Sequence, residues 1–249
     1  MNLNLFFLFV IVFFLASCNS IKKVEQHNGI FYAKASDSIY HKNLKQKFQI
    51  IGDKISRNLT KNFKLPSNNI RISFKDCKKV SAYYIKKNSE IIMCYEMYLY
   101  LLKKYKNNVT YIYDFVLAHE LSHALIDQRN IPIIGKIEDA ADAISTVLLI
   151  NKPTLKGRNL GVDTVLLAST FFADNFNPKH ISWSGAHSIG PQRAANLVCW
   201  AIGSDPLSLV RNRARLVKYI QMRLKGRNCI AEYKKISKST SVLLREYIK

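Results

Sequence analysis

The apolar residues of this chain follow two spacings, which divide it into a mixed first half and a helical second half. Between Leu44 and Phe63 they recur every three or four residues, which predicts an amphipathic helix ending before Pro66. A short strand is predicted within GIFYAKA. The segments NIRISFKDC, SAYYIKK and SEIIMCYEMYLY are rich in β-branched and aromatic residues, and predict two or three antiparallel strands.

From Asn107 onward the spacing is helical. Thr110 is the predicted N-cap of a helix that runs to about Gln128 and stops at RNIP. The next helix is predicted from about Lys136 to just before Pro153. Three more are predicted at Gly161 to Asn175, Pro191 to Ile202 and Leu207 to Leu224. The predicted fold class is α+β, with a small antiparallel sheet packed on the helix that ends near Gln128 and a mostly helical C-terminal half.

The first eighteen residues predict an export signal. Their apolar run from Leu5 to Ala16 is too short to span a bilayer and is typical of a signal-peptide core. The run ends in LASC, which resembles a bacterial lipobox with Cys18 as the lipidated residue. The alternative is an ordinary secretory signal with a chance cysteine. We expect a lipoprotein signal peptide at 1–18 and a single domain at 19–249, whose residues 19–43 form a tether.

Export and charge together indicate the partners. A lipidated Cys18 anchors the chain in the bacterial cell envelope, and Asn19 after it favours the outer membrane, facing the periplasm or the surface. The formal net charge is +21, which in an exported protein indicates contact with an anionic envelope surface and not with nucleic acid. Codon bias is an alternative source of the lysines. The basic segment RNRARLVKYIQMRLKGRNC fits either a solvated helix face or an anionic docking surface.

Cysteine usage agrees with export. Without Cys18, four cysteines remain, an even number that favours disulfides in an oxidising compartment. Proximity along the chain favours two local bridges, one between Cys77 and Cys94 and the other between Cys199 and Cys229. Four free buried thiols are the alternative.

The helix that ends near Gln128 contains the stretch FVLAHELSHALID. His119 and His123 are four residues apart, so on a helix they lie about 6 Å apart along one face and can bind the same ion. Glu120 lies about 100° around the helix, where it can reach a water at that ion. This H-E-x-x-H arrangement is typical of zinc metallopeptidases.

The third ligand is predicted on the next helix, within GKIEDAADAIST. Glu138 completes a two-histidine, one-glutamate site for one zinc ion, and Asp142, one turn later, accepts the outer N–H of a ligating histidine, most simply His119. Three ligands and an open fourth position are the catalytic pattern. Asp139 is the alternative ligand. A second alternative is that EDAAD only supplies negative charge to a helix N-terminus.

The segment FVLAHELSHALIDQRNIPIIGKIEDAADAIST is similar to a bacterial family of unknown function described as putative metallopeptidases, whose pattern reads HELGHALID followed by G-x-x-EDAAD. The similarity extends to CKKVSAYYIKKNSEIIMCYEM and WSGAHSIGPQRAANLVCWAIGSDP. Two positions depart from that pattern, Ser122 for glycine and Ala186 for an acidic residue before His187. More broadly, H-E-x-x-H followed by E-x-x-x-D resembles the gluzincins, which implies Glu138 as third ligand and Asp142 as its support.

The predicted function is zinc-dependent hydrolysis of peptide bonds. Glu120 is the predicted general base and returns its proton to the leaving amine. His187 is a candidate donor to the oxyanion, or else a loop histidine, and Arg193 is a second candidate for binding a carbonyl or carboxylate. The strand near Glu90 to Cys94 is the expected edge for a peptide substrate. The alternatives are a non-catalytic cationic envelope-binding lipoprotein with a vestigial metal site, and a zinc amidase acting on cell-wall peptides.

Overall fold

The computed structural model describes residues 31–38, 43–62, 70–151, 159–175, 188–207 and 224–245. The described strands are β1 (Phe31–Ala35), β2 (Ile70–Lys75), β3 (Ala82–Ile85) and β4 (Glu90–Cys94). The described helices are α1 (Leu44–Asn62), α2 (Tyr95–Tyr105), α3 (Val109–Gln128), α4 (Ile137–Ile150), α5 (Leu160–Asp174), α6 (Gly190–Ser204) and α7 (Cys229–Leu244). The predicted α+β class and the helical C-terminal half are confirmed.

The sheet has the strand order β1-β2-β4-β3 and is mixed. β1 pairs with β2 and β2 with β4 in parallel, whereas β3 pairs with β4 antiparallel. The antiparallel prediction therefore fits only the β3–β4 pair. The difference has a topological cause, because α1 lies between β1 and β2 in the chain and returns it to the same end of the sheet.

The predicted strand SEIIMCYEMYLY ends at Cys94, and α2 begins at Tyr95. All five residues of β4 are buried, so the strand has no polar alternation that would separate it from a buried helix. The carboxylate of Glu96, in the first turn of α2, accepts a hydrogen bond from the backbone N–H of Cys77 at 2.9 Å. That contact and the Cys77–Cys94 disulfide hold the start of α2 against the chain after β2.

Helix α3 lies between two hydrophobic cores. The first core packs α1, the sheet and α2 against one side of α3, with Phe48, Phe74 and Tyr95 at its centre. The second core packs α4, α5 and α6 against the other side and includes Phe115, Leu166 and Val198. The helix that carries the H-E-x-x-H residues is thus fixed from both sides.

Two disulfides are present, Cys77–Cys94 and Cys199–Cys229, which confirms the predicted local pairing. The second joins α6 to α7. The predicted signal peptide with Cys18, most of the predicted tether and nearly all of the predicted helix from Leu207 to Leu224 lie outside the described residues. Within the described ranges, no helix is both long enough and apolar enough to cross a bilayer.

Candidate metal centre

The helix α3 is apolar around most of its circumference, because it packs on both sides. His119 and Glu120 are consequently buried, with 7% and 8% of their surfaces exposed, and His123 is partly buried. The helix begins at Val109, directly after a 3₁₀ turn at Lys106–Asn108, so the predicted N-cap at Thr110 is already helical.

The end of α3 turns the chain back toward the two histidines. Asn130 adopts a left-handed conformation, its N–H bonds to the carbonyl of Asp127 at 3.1 Å, and the N–H of Ile131 bonds to the carbonyl of Ile126 at 2.9 Å. These are the bonds of a Schellman motif, in which asparagine tolerates the positive φ. Helix α4 begins at Ile137, six residues after Ile131, so its first turn faces the histidine side of α3.

Three nitrogen and oxygen atoms from α3 and α4 meet at one point. His119 Nε2 lies 3.1 Å from Glu138 Oε2, and His123 Nε2 lies 3.3 Å from the same oxygen. The two Nε2 atoms are 3.2 Å apart. The structure therefore brings the predicted ligands His119, His123 and Glu138 together, and they form a candidate metal-binding group among the described residues.

The size of this triangle fits a small tetrahedral ion. Ligand atoms at about 2.0 Å from a tetrahedral zinc ion lie about 3.3 Å from one another. The three edges of 3.1, 3.2 and 3.3 Å match that spacing. Two imidazoles and one carboxylate are also a donor set that zinc binds in catalytic sites. By size and by donor chemistry, the residues present fit the metal.

The charge environment of the three candidate ligands favours a cation at their centre. Burial by itself lowers the pKa of His119, but the carboxylates of Asp142 and Glu138 outweigh burial and raise that pKa to about 9. Burial raises the pKa of Glu138, but the two imidazoles outweigh it and hold that pKa well below its usual range. Without metal the cluster therefore retains a proton near neutral pH, which metal binding would release.

Asp142 lies behind His119, as its position one turn after Glu138 predicts. Its Oδ1 is 2.9 Å from His119 Nδ1, off the line of a straight hydrogen bond. Arg193, from α6, donates to the same carboxylate through Nε at 2.7 Å and Nη2 at 2.8 Å. Burial acts to raise the pKa of Asp142, but Arg193 and His119 outweigh it and lower that pKa. Arg193 thus binds a carboxylate of the protein itself.

Glu120 lies beside the three candidate ligands and outside their group. It lines the same cavity as His119, His123 and Glu138, and accepts a backbone hydrogen bond from Tyr84. Burial raises the pKa of its carboxyl group, and the neighbouring histidines oppose the rise. A raised pKa on a carboxylate next to a metal-binding group is suited to accepting and returning a proton.

The cavity over these residues has a volume of about 480 Å³ and is bounded by β3, α3 and the start of α4. Its apolar lining comes from Ala82, Ile126, Ile131 and Ile137. The sheet edge at the cavity is β3, because β4 is paired on both sides. The prediction that Glu90–Cys94 forms a free edge is therefore wrong, and β3 takes that position.

The other predicted site residues differ in their placement. Asp139, the alternative ligand, accepts a hydrogen bond from Ser188 at 2.7 Å and lies outside the described ligand group. His187 lies outside the described residues. Sequence reasoning missed Tyr84, whose backbone contacts Glu120, and no local pattern indicates that contact, since β3 and α3 meet only through the tertiary fold.

A protein-family model described as "Putative metallopeptidase" matches residues 32–244. That range covers most of the 249 residues and contains every residue of the candidate metal centre. The chain has no match among curated proteins or solved structures.

Proposed function

The chain belongs to this family of putative metallopeptidases, and on that premise we propose that it is a zinc-dependent peptidase in which His119, His123 and Glu138 hold the metal and Glu120 is the general base. One observation carries the proposal. Three donor atoms converge with separations of 3.1 to 3.3 Å, and a buried carboxylate that does not belong to the triangle lies in the same cavity.

When bound, zinc supplies a Lewis acid that brings the pKa of water toward neutrality and polarises a carbonyl oxygen. Glu120 accepts a proton from the attacking water and delivers it to the leaving amine nitrogen. The hydrogen bond from the Tyr84 backbone holds the Glu120 carboxylate beside the ligands. Burial raises its pKa and so strengthens it as a proton acceptor.

An extended peptide is the substrate that the cavity favours. The carbonyl of Ser81 accepts from the N–H of Cys94 in β4, so the backbone groups of the alternate residues Ala82 and Tyr84 point away from β4. Both residues line the cavity. The N–H of Tyr84 already donates to Glu120. We therefore propose that a substrate strand pairs with Ala82 and with the carbonyl of Tyr84 on this edge of β3, while its side chains contact Ile131 and Ile137.

The cellular setting is part of the same proposal. The signal-like segment that ends in LASC supports export and lipidation at Cys18, with the catalytic domain held at the outer membrane. The two disulfides support an oxidising compartment outside the cytoplasm. The net charge of +21 supports contact with an anionic envelope surface.

The test compares full-length protein with its Glu120→Gln variant, both purified in detergent and loaded with zinc. Glutamine keeps the size of the side chain and removes the base, so we expect stoichiometric zinc in both and hydrolysis slowed about 10²–10⁴-fold in the variant. A peptide library with mass-spectrometric readout measures cleavage. Equal cleavage by both proteins removes Glu120 from its role, and zinc binding with no cleavage by the parent would favour the envelope-binding alternative.

A further inference from the structure

Behind the candidate metal centre lies an ion pair that joins α4 to α6. Asp142 and Arg193 are both buried, with 2% and 9% of their surfaces exposed. The guanidinium meets the carboxylate with two bonds, Nε to Oδ2 at 2.7 Å and Nη2 to Oδ1 at 2.8 Å. Two parallel bonds fix the plane and rotation of a carboxylate, which a single bond does not.

The guanidinium is itself held in place. The carbon at its centre lies 3.8 Å from the centre of the Phe172 ring, which supplies an aromatic face from α5. Arg193 therefore contacts both α5 and α4, while its own backbone belongs to α6. A lysine at this position would keep the charge, but it would lose the planar fork and the stacking that orient it.

The orientation of Asp142 matters because of the atom that faces the metal centre. Oδ1, the oxygen that accepts from Arg193 Nη2, lies 2.9 Å from His119 Nδ1. The opposite nitrogen of that imidazole, Nε2, is one corner of the ligand triangle. A rotation of the carboxylate would move its partner ring and change the direction of the Nε2 lone pair.

We propose that Arg193 is a positioning residue for the metal centre, acting through Asp142 on His119. The inference rests on the proposed function, because it needs the triangle to bind metal. Arg193 is not among the residues that line the metal-centre cavity. Its effect on the ion is transmitted through one carboxylate and one imidazole, so it should disappear when that carboxylate is replaced.

A matched control exists in the sheet. Arg71 bonds to the buried Glu90 with the same two-pronged geometry, Nε to Oε1 at 3.0 Å and Nη2 to Oε2 at 2.9 Å. The two residues lie on the neighbouring strands β2 and β4, outside the lining of the metal-centre cavity. Arg71→Lys therefore weakens an ion pair of the same geometry, although its arginine side chain is 34% exposed against 10% for Arg193. Any loss of stability that it causes is not transmitted to His119.

The experiment uses full-length protein in detergent and the variants Arg193→Lys, Arg71→Lys, Asp142→Asn and the double variant Arg193→Lys/Asp142→Asn. Zinc affinity is measured by competition with a chromophoric chelator, and the visible absorption of the cobalt-loaded protein reports ligand geometry. We expect Arg193→Lys to weaken zinc binding about 10–100-fold and to alter the cobalt spectrum. Arg71→Lys should change neither, and Arg193→Lys should add no further loss in the Asp142→Asn background.

Several outcomes overturn the inference. Arg193 would be a purely structural residue if Arg193→Lys matched Arg71→Lys in zinc affinity and in cobalt spectrum. In that case the proposed function would still stand, provided that the parent binds zinc and cleaves peptides. A parent that binds no zinc defeats both proposals. If Arg193→Lys does not fold, Phe172→Leu is measured instead, since it removes the aromatic support and keeps the ion pair. Parental zinc affinity in Phe172→Leu would also overturn the inference.

Discussion

Removal of the Cys199–Cys229 disulfide is expected to destabilise the helical half of the molecule by a calculable amount. The bridge joins residues 30 apart in the chain. Closing a loop of that length lowers the entropy of the unfolded chain by about 12 cal/mol/K, or about 3.6 kcal/mol at 25 °C. For the 17-residue separation of Cys77 and Cys94, the same relation gives about 3.1 kcal/mol. Each pair replaced by alanine should therefore lower the free energy of unfolding by about 3 kcal/mol.

Denaturant unfolding followed by tryptophan fluorescence measures this loss, because Trp200 is buried next to Cys199 in α6. One control is the parent unfolded under reducing conditions, whose free energy of unfolding should fall by the sum of the two contributions. A second control is a variant without cysteines 77, 94, 199 and 229, whose free energy of unfolding should not change when reductant is added. Thiol titration of the unfolded, unreduced parent should find none of these four cysteines free. Four free thiols, or a loss well below 1 kcal/mol for both pairs, would refute the reasoning.

Two further predictions concern carboxylates. Glu138→Gln should weaken zinc binding by at least about 100-fold, more than loss of an outer contact does, whereas the neighbouring Asp139→Asn should stay close to the parent in the same chelator competition. If Asp139→Asn instead weakened zinc binding more than Glu138→Gln, Asp139 and not Glu138 would be the ligand. For Glu90, burial raises the pKa but Arg71 and Ser73 outweigh it and lower the pKa below 4.5. Because the folded-state pKa is the lower one, its stabilisation is present above pH 4.5 and is lost as pH falls through the folded value. Glu90→Gln should lower stability at pH 7 and flatten the acid dependence of denaturant unfolding, and an unchanged slope would contradict this.

The helices of the fold could be predicted from sequence more completely than the sheet. The spacing of apolar residues located α1, α4, α5 and α6 to within a few residues. The spacing did not predict α2, because β4 is wholly buried and continues directly into an apolar helix. The segment EIIMCYEMYLY therefore has the composition of a single strand. Strand direction was predicted from segment composition alone. The order of strand, 19-residue helix and strand from β1 to β2 was the overlooked signal, since a long crossover is typical of parallel pairing.

The local part of the metal centre could be predicted, and its long-range part could not. His119, Glu120 and His123 share one helix, and Glu138 and Asp142 share the next, so their spacing alone determines which side chains lie on the same face. Arg193 is 51 residues from Asp142, and its chemistry suits a substrate carboxylate as well as an internal one. The choice between those partners depends on how α6 packs against α4, which no spacing within either helix encodes.

The local charge explains why a divalent cation fits within an otherwise basic chain. The formal net charge is +21, yet three carboxylates, those of Glu120, Glu138 and Asp142, lie beside the two imidazoles, and Arg193 pairs with one of them. Three carboxylates and one guanidinium leave two negative charges in a buried region, where uncompensated charge is costly. A proton on His119 cancels one of them, and a zinc ion cancels both. Arg193 already pairs with Asp142, and loss of that carboxylate would deprive a buried guanidinium of its partner. The remaining negative charge, on Glu120 and Glu138, is the charge that a bound divalent cation would offset.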